Sequence, residues 1–176
     1  MRFLIAALML MLPLASNAAD PQWVAIVGHG LEAADTDIVR LGYRLPLRES
    51  DKWWLPTHAQ LGGSVWRVPD IAGTTRRLDL NATAIWRAER KWERFGGYWE
   101  AGFGPYLLSK TVRNDDTRMP SSLEFGTHLG IGFNFGKSSS LGIALQHLSN
   151  GGLKQPNGGI NLFLLQYTVS TGTPKM

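Results

Sequence analysis

The feature of this chain that most restricts its fold is an alternation in which one face is greasy and the other nearly empty. In the segment 122–136 the odd positions are Phe125, Thr127, Leu129, Ile131, Phe133 and Phe135, and the even ones are Gly126, His128, Gly130, Gly132, Asn134 and Gly136. Strand side chains repeat every two residues, so these two sets line opposite faces of an extended segment. The pattern recurs. Trp99, Ala101, Phe103, Pro105 and Leu107 oppose Glu100, Gly102 and Gly104; Val39, Leu41, Tyr43, Leu45 and Leu47 oppose Arg40, Gly42 and Arg44. A fourth segment sets Leu78, Leu80, Ala82, Ala84 and Trp86 against Arg77, Asp79, Asn81 and Arg87. A soluble sandwich also alternates, but its solvated face carries long charged side chains. Here the second face is small, with isolated charges able to pair, which suits the tight lumen of a small barrel whose apolar face meets lipid. The opposite arrangement, a soluble lipocalin-like barrel with its apolar face inward, is the competing reading.

Eight such segments are expected, at about 22–30, 36–47, 52–67, 75–90, 96–110, 122–136, 140–150 and 160–170. Turn chemistry separates them at Arg48-Glu49-Ser50-Asp51, Pro69-Asp70, Arg113-Asn114-Asp115-Asp116 and Gly136-Lys137-Ser138-Ser139. The fold class predicted is all-β, an eight-stranded antiparallel transmembrane β-barrel. The first residues stand apart. Arg2, an apolar run from Phe3 to Leu14 and the small-x-small site Ser16-Asn17-Ala18 read as a signal peptide over 1–18, leaving 19–176 as one barrel domain. That run is too short for a membrane helix, and nothing later reaches the ~18 apolar residues one needs. A closed barrel is the remaining way to satisfy every backbone group in lipid.

Composition removes other classes. Without cysteine, disulfides and thiol or zinc-thiolate chemistry are excluded. A formal charge of +4, lowered to +3 once Arg2 leaves with the leader, is too mild to argue for nucleic acid. His29, His58, His128 and His147 lack ligand spacing, so no metal or cofactor is expected. Gly28-His29-Gly30 is no phosphate loop, because no helix pattern follows. Arg40, Arg44, Arg77, Arg87 and Glu100 are expected to fill the lumen as an ion-pair network, and Trp53-Trp54 to anchor at the interface.

The seventh segment puts His147 and Ser149 on the same outward face as Leu141, Ile143 and Leu145; the eighth puts Asn161 with Phe163, Leu165, Tyr167 and Val169. Polar groups ending a lipid-facing stripe are costly unless they act or meet headgroups. Both readings are open from spacing alone. The acting reading is acyl transfer: a serine hydroxyl activated by a neighbouring imidazole, which is itself held in one tautomer by a third group. The intervening loop Asn150-Gly-Gly-Leu-Lys-Gln-Pro-Asn-Gly-Gly159 could supply oxyanion donors.

The stretch His147-Leu-Ser-Asn-Gly-Gly-Leu-Lys-Gln-Pro-Asn-Gly-Gly-Ile-Asn161 closely resembles the signature of the PagL-type lipid A 3-O-deacylases, continuously from about Ser121 to Val169 and more loosely around Lys52-Trp53-Trp54 and Glu100–Gly104. The resemblance implies an eight-stranded outer-membrane barrel that removes the ester-linked acyl chain at the 3 position of lipid A, part of lipopolysaccharide. It implies Ser149 as nucleophile, His147 as base, Gly152 N–H and the Asn157 amide as oxyanion donors, and Asn150 in support. Its partners would be lipid A and outer-membrane lipids, with a homodimer left open. The family's third member is a glutamate, where this chain has Asn161. An asparagine there also resembles the pattern of outer-membrane phospholipase A, a larger, calcium-dependent, dimeric barrel. A mature chain of about 158 residues is too short for twelve strands of ~10 residues plus turns. A catalytically inactive structural barrel is the third alternative.

Overall fold

The computed structural model describes residues 20–31, 36–47, 55–70, 73–91, 96–113, 118–119, 121–135, 138–155 and 157–171. Residues 1–18, expected as a signal peptide, and Trp53-Trp54 lie outside the described residues. Ten strands follow in chain order: β1 (Gln22–Gly30), β2 (Asp37–Pro46), β3 (His58–Asp70), β4 (Gly73–Lys91), β5 (Gly96–Leu108), β6 (Val112–Arg113), β7 (Arg118–Met119), β8 (Leu123–Phe135), β9 (Ser139–Ser149) and β10 (Gly159–Ser170). Eight of them close into an antiparallel barrel in the order β1-β10-β9-β8-β5-β4-β3-β2, as the alternation predicts.

Which face points where decides between lipid and water. Leu80 and Leu129 are each 69% exposed and Ile131 62%, while Arg40, Arg44, Gln60, Glu100, Gln146 and Gln166 are buried. This is inverted relative to a soluble barrel, so the lipocalin-like alternative falls. Aromatic rings gather outward near the end where the chain enters and leaves: Trp23 with Tyr43 at 4.9 Å between centroids, and Phe135 with Tyr167 at 6.1 Å. Such a girdle marks a membrane interface. At the opposite end, called the loop end here, β1 leads to β2, β3 to β4, β5 to β8 and β9 to β10.

The glycine-rich face makes room for a few large lumen side chains. A Cβ at Gly126 would overlap the Tyr106 ring, and one at Gly132 or Gly142 would overlap Tyr98. At the centre Glu100, wholly buried, receives Arg44 at 3.2 Å, Arg87 at 3.5 Å and His128 at 3.4 Å. Gln166 Nε2 donates to Glu100 Oε1 at 2.8 Å. The expected network is narrower than the sequence suggested. Arg40 donates instead to Ser64, Tyr106 and Gln146; Arg77 donates to the Thr111 carbonyl among its partners. Arg40 is thus held by neutral acceptors, with its Nη2 left without a hydrogen bond among the described residues.

Three further differences are informative. The lumen is apolar on the side of β1 and β10, where Val24, Ile26, Ile38, Leu148, Leu162 and Leu164 pack together. Those strands are hydrophobic nearly throughout, and the inward half must pack somewhere. Pro69 and Asp70, expected as a turn, continue β3 opposite Thr74 and Gly73, and the third strand begins only at His58, beyond Pro56. Proline has no N–H for a ladder but is tolerated at strand ends. The small β6–β7 hairpin was not foreseen; strands of two residues are too short to alternate visibly.

Removing the carboxylate that serves both Arg44 and Arg87 should be severe. Glu100→Ala is expected to cost about 3–5 kcal/mol of stability by leaving buried charge uncompensated, read as a lower midpoint for loss of heat-modifiable gel mobility. An unchanged midpoint would contradict this account of the lumen.

Candidate active site

The ladder between β9 and β10 assembles the site. Asn161 is the direct partner of His147, and Gly159 the direct partner of Ser149. On its other side β9 pairs His147 with Thr127 and Ser149 with Phe125 of β8. His147 is exposed on the outer wall, while Ser149 and Asn161 are half-buried there. Directly opposed residues on one sheet face have Cβ atoms about 5 Å apart, close enough for short side chains to meet.

They do meet. His147 Nδ1 lies 2.8 Å from Asn161 Oδ1. With the amide oxygen facing the ring, Nδ1–H donates, and Nε2 keeps its lone pair as an acceptor. The backbone of Asn161 is fixed in turn, since its carbonyl accepts from Leu31 N–H at 2.9 Å. Ser149 shares the outward face of His147 two residues along β9, and no hydrogen bond joins His147 to Ser149 Oγ in this structure.

Gly159 is the residue that sequence reasoning missed. A Cβ built there would stand 2.8 Å from His147 Cε1, 3.2 Å from Nε2 and 2.7 Å from the Leu148 carbonyl oxygen. The imidazole therefore leans across the bare backbone opposite Ser149, with Nδ1 on Asn161 and Nε2 on the side of the serine's cross-strand partner. Gly159 is absent from the positive-φ residues, so the need is for space rather than for unusual backbone. The signal was available: a hairpin register would have placed a glycine across from Ser149.

The loop 150–158 is organised by Asn150. Its side chain, fully buried, accepts from Gly152 N–H at 2.9 Å and donates to the Lys154 carbonyl at 2.8 Å. Gly151 and Gly152 take φ of 63° and 84°, the left-handed region open to glycine at little steric cost. The Gly152 N–H, expected to face an oxyanion, is thus committed to Asn150 Oδ1. Asn157 is exposed, and its backbone N–H reaches Gln155 Oε1 at 3.3 Å.

An apolar groove runs from the site along the outer wall. A cavity of about 550 Å³ is lined by Leu31, Thr127, Leu129, Leu145, His147 and Asn161 among others. A second, of about 370 Å³, shares Leu129 and Leu145 and continues to Trp99, Ile131, Ile143 and Phe163. Among the described residues no group of three His, Asp or Glu side chains could hold a metal ion.

An eight-stranded barrel turned apolar-outward belongs to the class of outer-membrane β-barrel proteins, and its lipid-facing wall here carries an imidazole–amide pair and a serine. Within that class the chain is a member of the PagL family: the family model described as lipid A 3-O-deacylase matches residues 37–170. The chain is 33% identical over 138 residues to a lipid A deacylase PagL of Bordetella bronchiseptica, covering 74% of each protein. It is likewise 33% identical over 135 residues to that of Pseudomonas aeruginosa, covering 72% of this chain and 76% of the relative. A crystal structure of the outer membrane enzyme PagL superposes with a TM-score of 0.69 at 28% identity, over 84% of this chain and 98% of that one. The N-terminal barrel of Pseudomonas aeruginosa OprF, at 11% identity and a TM-score of 0.51, shares the fold alone.

If Gly159 seats the imidazole, Gly159→Ala will displace it. Nitrogen NMR of the histidine rings should show His147 in a single Nδ1–H tautomer in the parent and a tautomer mixture in the variant. An unaltered His147 signal would refute the seat.

Proposed function

We propose that this protein hydrolyses the ester-linked acyl chain at the 3 position of lipid A, with Ser149 as nucleophile, His147 as base and Asn161 as the group that orients it. The observation carrying this reading is the cross-strand pair His147–Asn161, placed on the same outer face as Ser149. Family membership supports the substrate, since the curated relatives are lipid A deacylases.

The steps balance as ordinary acyl transfer. Ser149 Oγ attacks the acyl carbonyl while its proton passes to His147 Nε2. Collapse of the tetrahedral intermediate expels the 3-oxygen of lipid A, which takes that proton from His147. Water, deprotonated by the same imidazole, then releases the fatty acid and restores Ser149. The oxyanion needs donors in a low-dielectric setting, where they count most. The side-chain amide of Asn157 is assigned that role; its backbone N–H already reaches Gln155, and Gly152 N–H would first have to leave Asn150, whose part is to hold the loop. The groove below His147 suits the acyl chain, so the ester can be reached without lifting the lipid out of the membrane.

Asn161 can fix the tautomer through its carbonyl oxygen but cannot offset the imidazolium charge that forms in the transition state. It is the one observation favouring a phospholipase-like reading, and calcium dependence would distinguish the two. We further infer that residues 1–18 are an export leader and 19–176 the barrel domain.

Purified barrel in detergent micelles should release fatty acid from lipid A with a chelator present. Ser149→Ala and His147→Ala should each lower turnover by on the order of 10⁴-fold or more while heat-modifiable mobility is kept. Wild-type turnover in either variant would rule out the pair. Asn161→Glu, restoring a negative charge beside the imidazole, should raise turnover about 10-fold, on the order of 1.4 kcal/mol in barrier; a complete loss would mean the site is built around a neutral amide.

A further inference from the structure

Diametrically across the barrel from β9 and β10, the outer wall of β3 and β4 carries an arrangement that the reaction does not use. Arg67 and Arg76 are direct cross-strand partners at the loop end, and both are exposed. Like charges placed directly opposite each other on a sheet repel. The rung offers partial compensation. Asp37 is the partner of Arg67 on the other side, with 3.6 Å between Asp37 Oδ2 and Arg67 Nη1, and the same carboxylate holds His29 at 2.9 Å. No ion pair joins Arg76 to a carboxylate among the described residues.

Below the arginines the wall turns apolar and then shallow. The next rungs are Val65 with Leu78, Gly63 with Leu80, Leu61 with Ala82 and Ala59 with Ala84. Val65, Leu78, Leu61 and Leu80 are between 48% and 69% exposed. Leu80 leans over Gly63, its Cδ2 3.5 Å from the place of a Cβ there, so the trough is the shallower strip over Ala59, Ala82 and Ala84, farther from the cation pair. Two guanidinium groups over an apolar trough are complementary to an amphiphile with a phosphate head and acyl chains, and arginine forks bind phosphate oxygens in bidentate fashion. The longest connection, 109–122 with its β6–β7 extension, leaves from this end together with the 149–159 loop; the connections 46–58, 91–96 and 135–139 leave from the other. In outer-membrane barrels the longer loops face outward, which puts the arginines at the leaflet where lipid A presents its phosphates.

We propose that Arg67, Arg76 and the trough beneath them form a second, non-catalytic site that holds a lipid A molecule by a phosphate. The bound phosphate relieves the repulsion between the arginines and adds a lipid-dependent increment to barrel stability. Because it stands on the opposite wall, the site works whether or not Ser149 is the nucleophile.

The test keeps the ligand intact by using Ser149→Ala protein throughout. Barrels are reconstituted in phosphatidylcholine vesicles alone, with bisphosphorylated lipid A, or with an equal charge of phosphatidylglycerol. The midpoint for loss of heat-modifiable mobility is read in each. Lipid A should raise it by a few degrees over phosphatidylcholine, and more than phosphatidylglycerol does. The added R67Q/R76Q pair should abolish that increment, while its midpoint in phosphatidylcholine alone shows that the variant folds; R67K/R76K should keep part of it. An increment that survives R67Q/R76Q, or one that phosphatidylglycerol matches, would overturn the proposal.

Discussion

The structure depends on closure of the barrel by the ladder between its first and last long strands. Nine partner pairs, from Gln22 with Ser170 to Gly30 with Leu162, join β1 to β10. In lipid an unpaired strand edge would leave a row of polar backbone groups without water, each costing several kcal/mol. The ladder removes the edge and fixes the position of β10 against β9. A slip of one residue would turn every side chain of a strand to the other face. It would bury Asn161 in the lumen and part it from His147. The requirement that seals the barrel therefore also sets the geometry of its site.

Closure has an interior consequence. Eight strands enclose a lumen just wide enough to be filled by side chains, and this one is filled unevenly. A polar centre gathers two arginines, a histidine and a glutamine around Glu100, while Val24, Ile26, Ile38, Leu162 and Leu164 contribute an apolar side. Glycines beside Tyr98 and Tyr106 make the space those rings occupy. The outer wall is thus backed by rigid contents, and a hydrogen bond on its surface, His147 to Asn161, is held by strands that cannot drift apart.

Much of this was legible in the sequence because a period of two is a direct statement about faces. Leu129 and Ile131 outward, His128 and Glu100 inward, and the shared face of His147 and Ser149 all follow from alternation. Strand ends were less legible: Pro69 and Asp70 carry turn chemistry yet extend β3, since tertiary pairing overrides local preference. Contacts across strands were the least accessible. That Arg40 would choose Tyr106 and Gln146 rather than Glu100 depends on which lumen rows meet, and the alternation does not encode it. The seat for the imidazole at Gly159 and the engagement of Gly152 N–H by Asn150 depend on register and loop closure. Family resemblance marked the residues of the loop but not which of their donors are already used.

The central claim, that a serine on the lipid-facing wall deacylates lipid A, is tested most directly in a Gram-negative membrane. Lipid A would be extracted from cells expressing the parent chain or the Ser149→Ala variant, at matched levels of folded barrel, and compared by mass spectrometry. The account predicts loss of one hydroxyacyl chain in the parent cells only. Lipid A of unchanged mass in both, or deacylation that persists without the Ser149 hydroxyl, would contradict it.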